Sequence, residues 1–164
     1  MTVISLIFLI LQIGFLLFFS YMCIAFVTGA PFVPSNDATA RSMIRLAQIH
    51  EGDIIYDLGS GNGKLLLLAT KQGARATGFE INPLLVLLSK LRGTNTHWKN
   101  FWKADIRSAD ILFIYLLPWK MDRLAEKIKQ ECRKGTIIVS NSFIFPKWKI
   151  LRQDTINHVY VFRV

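Results

Sequence analysis

Two acids and a run of spaced glycines carry the first chemistry visible in this chain. Asp57 closes the run Ile54-Ile-Tyr-Asp57, and Gly59, Gly61 and Gly63 follow it on alternate positions, with Ser60 between the first two. Glu80 closes a second run, Ala74-Arg-Ala-Thr-Gly-Phe-Glu80, roughly twenty residues past the first turn. An acid at the end of a first strand can meet an ammonium, directly or through water. An acid at the end of a second strand can accept both hydroxyls of a ribose. The glycines allow a ligand to press against bare backbone.

Phosphate ligands suit this pattern poorly. A phosphate-binding loop needs glycine five positions before Gly63 and Ser or Thr after Lys64, where Leu58 and Leu65 stand. A dinucleotide turn needs a small residue in place of Lys64, and its pyrophosphate would meet Asp57. S-adenosylmethionine has no phosphate and carries an ammonium and a sulfonium, so it fits the acids better. Asp57, Gly59, Ser60, Gly61, Gly63 and Glu80 are the expected cofactor residues.

These groups need a strand, a glycine turn and a helix to position them. Ile54 to Tyr56 reads as a buried strand, and Lys64 to Gln72 as a helix closed by Gly73. A helix from about Asp37 to Ile49, capped by Ser35 or Asn36, precedes the first strand. After the second strand, Asn82-Pro83 starts a helix over Leu84 to Arg92. Its apolar residues lie nearly all round, which predicts thorough burial. A third strand is expected near His97 to Phe101, a fourth from Asp110 to Leu116, and a fifth from Thr136 to Ser140. The amphipathic stretch Trp119 to Arg133 forms the helix between the last two. Trp148 to Leu151 and His158 to Val164 alternate in character and predict a terminal hairpin. The class is α/β: a Rossmann-like, mostly parallel seven-strand sheet with a C-terminal antiparallel hairpin. Asn100 is placed to face an adenine amino group, and Phe101 or Trp102 to stack on its ring, although core packing explains the aromatics equally well.

The first part of the chain has another character. No charged side chain occurs from Met1 to Asn36, and Val3 to Val27 is almost wholly apolar. As a helix this stretch is roughly 37 Å long, enough to cross a bilayer. It lacks a basic n-region, and Pro31 after Thr28-Gly29-Ala30 disfavours cleavage, so an uncleaved anchor is expected. The expected division is an anchor over residues 1–30 and a catalytic domain over 31–164. Arg41 and Arg45 lie just beyond the anchor, with no Lys or Arg before it. The positive-inside rule then puts the domain in the cytoplasm of a single-pass protein. All 20 Lys and Arg residues of this chain, whose formal net charge is +9, lie beyond the anchor, and anionic headgroups are the favoured partner over nucleic acid. Cys23 and Cys132 show no ligand spacing and no expected disulfide. His50, His97 and His158 are scattered, so no metal is implied.

The ordered set FVPS, YDLGSGNGK, GFEINP, Tyr115-Leu-Leu-Pro118 and VSNSF followed by proline and tryptophan resembles the membrane-anchored seven-β-strand protein-lysine methyltransferases. That group includes the ATP synthase c-subunit lysine N-methyltransferases and their prokaryotic relatives. The likeness spans roughly residues 31–164. It implies a class I methyltransferase fold and S-adenosylmethionine as cofactor. It also implies a lysine of a protein in or near the membrane as acceptor. Pro34 and Ser35 would lie near the methionine end or the lysine channel, and Tyr115 and Pro118 would line the acceptor site. The family commonly reads GDGR where this chain has Gly61-Asn62-Gly63-Lys64, and often has an acid at Asn100. Methylation of RNA, a lipid, a quinone or another small molecule is the alternative activity. A non-catalytic, membrane-tethered binding module is the third possibility.

Overall fold

A computed structural model describes residues 3–28 and 36–164. Pro34, Ser35 and the boundary expected between residues 30 and 31 lie outside the described residues. The chain divides into two units, one built on the first helix and one holding the sheet.

The first unit is α1, Val3–Thr28, with 26 residues. It has no acid in its first turn and no base in its last. Over Val3–Tyr21 it is long and apolar enough to cross a bilayer.

The second unit opens with α2, Asp37–Ala47, capped by Asn36, whose side-chain oxygen accepts from the Thr39 amide at 2.7 Å. Next come β1, Ile54–Leu58; α3, Lys64–Thr70; β2, Arg75–Glu80; α4, Pro83–Leu91; and β3, Asn95–Trp98. A short 3-10 turn, Phe101–Lys103, precedes β4, Ile111–Ile114, and α5, Pro118–Glu131. The chain closes with β5, Ile137–Asn141; β6, Arg152–Asp154; and β7, Val159–Arg163. The seven strands form one sheet in the order β3-β2-β1-β4-β5-β7-β6. Strands β1 to β5 pair in parallel, while β7 is antiparallel to both β5 and β6. The order reverses between β1 and β4, and open α/β sheets bind ligands at the carboxyl ends of strands flanking such a switch. Asp57 pairs with Gly78 and Phe113, so the ends of β1, β2 and β4 share one edge.

Period-two alternation divides the side chains between two cores. On one face Ile55, Ile111, Phe113, Val139 and Val161 pack with Met43 and Ile44 of α2 and Leu66 of α3. On the other, Leu112, Ile114, Ile138 and Phe162 pack with Met121, Leu124 and Ile128 of α5.

Three sequence expectations need correction. The helix at α4 is not thoroughly buried: only Leu85, Val86 and Ser89 are buried, and its other leucines face outward. The third strand ends at Trp98 because Asn100 caps the 3-10 turn, accepting from the Trp102 amide at 3.0 Å. The first hairpin strand lies at 152–154 rather than 148–151. Trp148 instead stacks on Phe145 with ring centroids 4.9 Å apart and meets Phe162 edge-on.

Gly63 shows how closely α3 and α4 approach. Its φ is +78°, and a Cβ added there would lie 2.2 Å from the Ser89 hydroxyl oxygen. That hydroxyl is already hydrogen-bonded to Thr94 and Thr96. Gly63→Ala therefore strains the backbone and breaks a buried network. It is expected to cost about 2–3 kcal/mol, measured by urea unfolding. A loss below about 0.5 kcal/mol, the range of an ordinary surface change, would contradict this packing.

Candidate active site

The turn after β1 is held mainly by backbone, with the Asn62 side-chain oxygen accepting from the Lys64 amide at 3.3 Å. The Gly59 and Ser60 amides both donate to the Phe79 carbonyl, at 2.9 and 3.2 Å, and the Gly63 amide donates to the Ser60 carbonyl at 2.9 Å. Gly59 has φ +97°, and an added Cβ there would meet nothing within 4 Å, so the turn presents an open face. Below it, Gly78 leaves room for Ser60, whose Cβ would be only 2.6 Å from a side chain at that position.

Glu80 fastens this turn to the end of β2. One carboxylate oxygen accepts from the Gly61 amide at 2.9 Å, the other from the Ile81 and Asn82 amides at 2.8 Å each. The sequence suggested a ligand contact here. The structure adds a scaffolding role, with acceptor capacity remaining on the oxygen that meets Gly61. Lys64 pairs with Asp37 at 2.8 Å, tying the start of α3 to the start of α2.

Asp57 is the opposite case. It is buried, and no hydrogen bond to its carboxyl forms among the described residues. Loss of water, with Glu80 adding like charge, pushes its pKa up to about 8. A buried acid of this kind is costly to ionise unless a cation arrives. The Ser60 hydroxyl is likewise buried without a partner among the described residues. A bare glycine face, an unsatisfied acid and an orphan hydroxyl at one strand edge fit the chemistry of a ligand carrying an ammonium and hydroxyls.

The remaining expected residues divide. Asn100 is half-buried and spends its carbonyl oxygen on the Trp102 amide. Phe101 is buried in the core beside Trp102, over which the Arg123 guanidinium lies at 4.3 Å. Tyr115 is half-buried past the end of β4, and Pro118 is exposed at the first position of α5. Sequence reasoning missed two neighbours. Phe143, after β5, stacks on Tyr115 with centroids 6.2 Å apart and rings within 9° of parallel. The residue before it, Ser142, holds a φ of +68°. Ile81, exposed directly after Glu80, offers an apolar surface at the same strand edge. The available signal was position alone: each follows the carboxyl end of a parallel strand.

An RNA methyltransferase from Salinibacter ruber, solved in complex with S-adenosyl-L-homocysteine, matches this fold with a TM-score of 0.75 at 30% identity. The match covers 80% of this chain and 92% of that one. The sheet order and this likeness identify the fold as that of the class I, S-adenosylmethionine-dependent methyltransferases. The family described as the ANTKMT methyltransferase domain matches residues 57–152, more than half of the sequence. The chain belongs to that family. It is 29% identical over 126 residues to the ATP synthase c-subunit lysine N-methyltransferase of Mus musculus, covering 72% of this chain and 51% of that protein. It is 29% identical over 134 residues to a protein-lysine N-methyltransferase of Saccharolobus islandicus (strain REY15A), covering 76% of this chain and 83% of that one. The chain thus spans about half the length of the mouse relative.

A pH dependence follows from Asp57. Below about pH 8 the ligand-free carboxyl keeps its proton. An ammonium favours the carboxylate, so donor binding expels that proton. Affinity for S-adenosylmethionine should rise by up to about tenfold per pH unit below that point and level off above it. The raised pKa also means that folding stability is greatest at low pH on this group's account. That contribution is lost as pH climbs from the ordinary carboxylate range through about 8. Asp57→Asn should flatten the binding profile, weaken binding and stabilise the ligand-free protein at the alkaline end. Titration calorimetry in buffers of different ionisation enthalpy reads the proton release; none would contradict the assignment.

Proposed function

We propose that this domain is a protein-lysine N-methyltransferase acting on a protein in or beside a membrane. The observation that carries the reading is the buried, unsatisfied Asp57 next to the Glu80-held glycine turn, in a chain whose relatives are named lysine methyltransferases. Asp57, Gly59, Ser60, Gly61, Gly63 and Glu80 would hold the cofactor's polar groups. Asn100 and Phe101, with Ile81, would serve the adenine end, and Pro34 and Ser35 the methionine end. Bound S-adenosylmethionine supplies an electrophilic methyl group on a sulfonium.

What the chain must add is alignment and a neutral amine. Holding a nucleophile in line is proximity catalysis, which needs no strong base. The parallel rings of Tyr115 and Phe143 would form an apolar wall for the acceptor, and Pro118, at the first position of α5, would line the same channel. Desolvation beside such a wall lowers an amine's pKa and favours the form that can attack. Backbone carbonyls between β4 and α5 would orient its remaining hydrogens. The helix Val3–Thr28 supports a bilayer anchor, with the domain on the cytoplasmic side following from Arg41 and Arg45. Confinement to one bilayer raises the effective concentration of a membrane substrate.

Incubating the full chain and labelled cofactor with membranes from a strain lacking the gene should place label on protein lysine, located by mass spectrometry. Label on RNA, with none on lysine, would favour the second reading, which the name of the Salinibacter ruber relative supports. Because the Tyr115 ring acts by stacking, Tyr115→Phe should keep most turnover, while Tyr115→Ala loses about tenfold to a hundredfold in kcat/KM. Full turnover in both variants would remove Tyr115 from the acceptor site.

A further inference from the structure

The outer face of α4 is an apolar stripe with no partner among the described residues. Leu84, Leu87, Leu88 and Leu91 follow the spacing of one helical face and are 61%, 54%, 42% and 75% exposed. Leu85, Val86 and Ser89 turn inward, so the helix spends its best packing residues on the sheet and leaves four leucines outside. Trp98, 69% exposed at the end of β3, belongs to the same edge of the sheet. Its indole N–H donates to the Ile81 carbonyl at 2.8 Å, which fixes the ring next to the start of α4.

The charge around this stripe has one sign. From Ile81 to Ala104 there is no Asp or Glu, while Lys90, Arg92, Lys99 and Lys103 are all exposed. Leucines on one helical face, a tryptophan with a satisfied N–H and a purely cationic rim are the composition of a helix lying in an anionic membrane interface. A protein partner is a poorer fit: a stable specific interface uses some twenty or more residues a side, and the leucines, Trp98 and basic residues named here make about nine.

We propose that the α4–Trp98 face docks the domain onto an anionic lipid surface, a contact separate from any crossing by α1. The proposal stands whichever molecule accepts the methyl group. It is tested in the full chain carrying Cys23→Ser, with an environment-sensitive fluorophore attached through Leu91→Cys. Ile156→Cys, at a position 88% exposed, serves as the control site. Cys132 is buried and remains unlabelled. Protein is reconstituted into phosphatidylcholine vesicles with and without about 30 mol% phosphatidylserine, containing lipids with doxyl groups on their acyl chains. At position 91, doxyl quenching should be at least about threefold greater in the anionic vesicles, and Lys90→Glu with Lys99→Glu should return it to the neutral-vesicle level. The probe at 156 should stay in water in both. A water-like, unquenched probe at 91 in anionic vesicles would overturn the proposal. So would a blue-shifted probe with no doxyl quenching, because a protein surface would then be covering the stripe.

Discussion

The Glu80 carboxylate is the constraint on which the site depends. Three backbone amides converge on it, one from the glycine turn and two from the start of the connection to α4. Amide-to-carboxylate bonds are charge-assisted and stronger than neutral ones, and this group is buried, where an unsatisfied amide is expensive. The bond to Gly61 therefore draws the turn against the end of β2 and fixes which face of the glycines looks outward. Asp57, one strand over, is left with a like charge nearby and no donor among the described residues. One acid is bonded by the backbone and shapes the turn, while the other has no donor among the described residues, which suits the proposed role of meeting a cation.

Architecture puts the rest in register around that pair. The parallel pairing of β1 with β2 and β4 brings three strand ends to one edge, and the reversal of winding between β1 and β4 opens the space above them. The side proposed for the acceptor is built differently. Tyr115 and Phe143 come from segments after β4 and β5 and steady each other by stacking. The carboxylates thus lie at the ends of β1 and β2, and the stacked Tyr115–Phe143 pair lies past β4 and β5.

Much of this was legible in the residues because the constraints are local. Glycines on alternate positions between an acid and a helix admit few backbone paths, so the turn, Asp57 and Glu80 could be named by spacing. The parallel strands were legible as short apolar runs. What could not be read was the partition of an all-apolar helix between inside and outside. Nothing in Leu84 to Leu91 distinguishes the leucines that meet the sheet from those that do not; position at the sheet's margin beside β3 decides it. The hairpin strand slipped for a related reason: Trp148 alternates like a strand residue, but its ring is worth more against Phe145 and Phe162. Phe143 and Ile81 stand inside the quoted motifs VSNSF and GFEINP, but their spacing assigned them no role, because their neighbours are brought to them only by the fold.

Glu80 holds the turn and is proposed to hold the donor as well, and Glu80→Gln separates that from mere packing. The amide keeps the side chain's size but turns an N–H₂ group either toward the Gly61 amide and the ligand or toward the Ile81 and Asn82 amides, where an acceptor is required. Calorimetric titration with S-adenosyl-L-homocysteine should show binding weakened by roughly a hundredfold, in a protein whose circular dichroism spectrum is unchanged. Affinity within about twofold of the parent would mean that Glu80 does not organise the site.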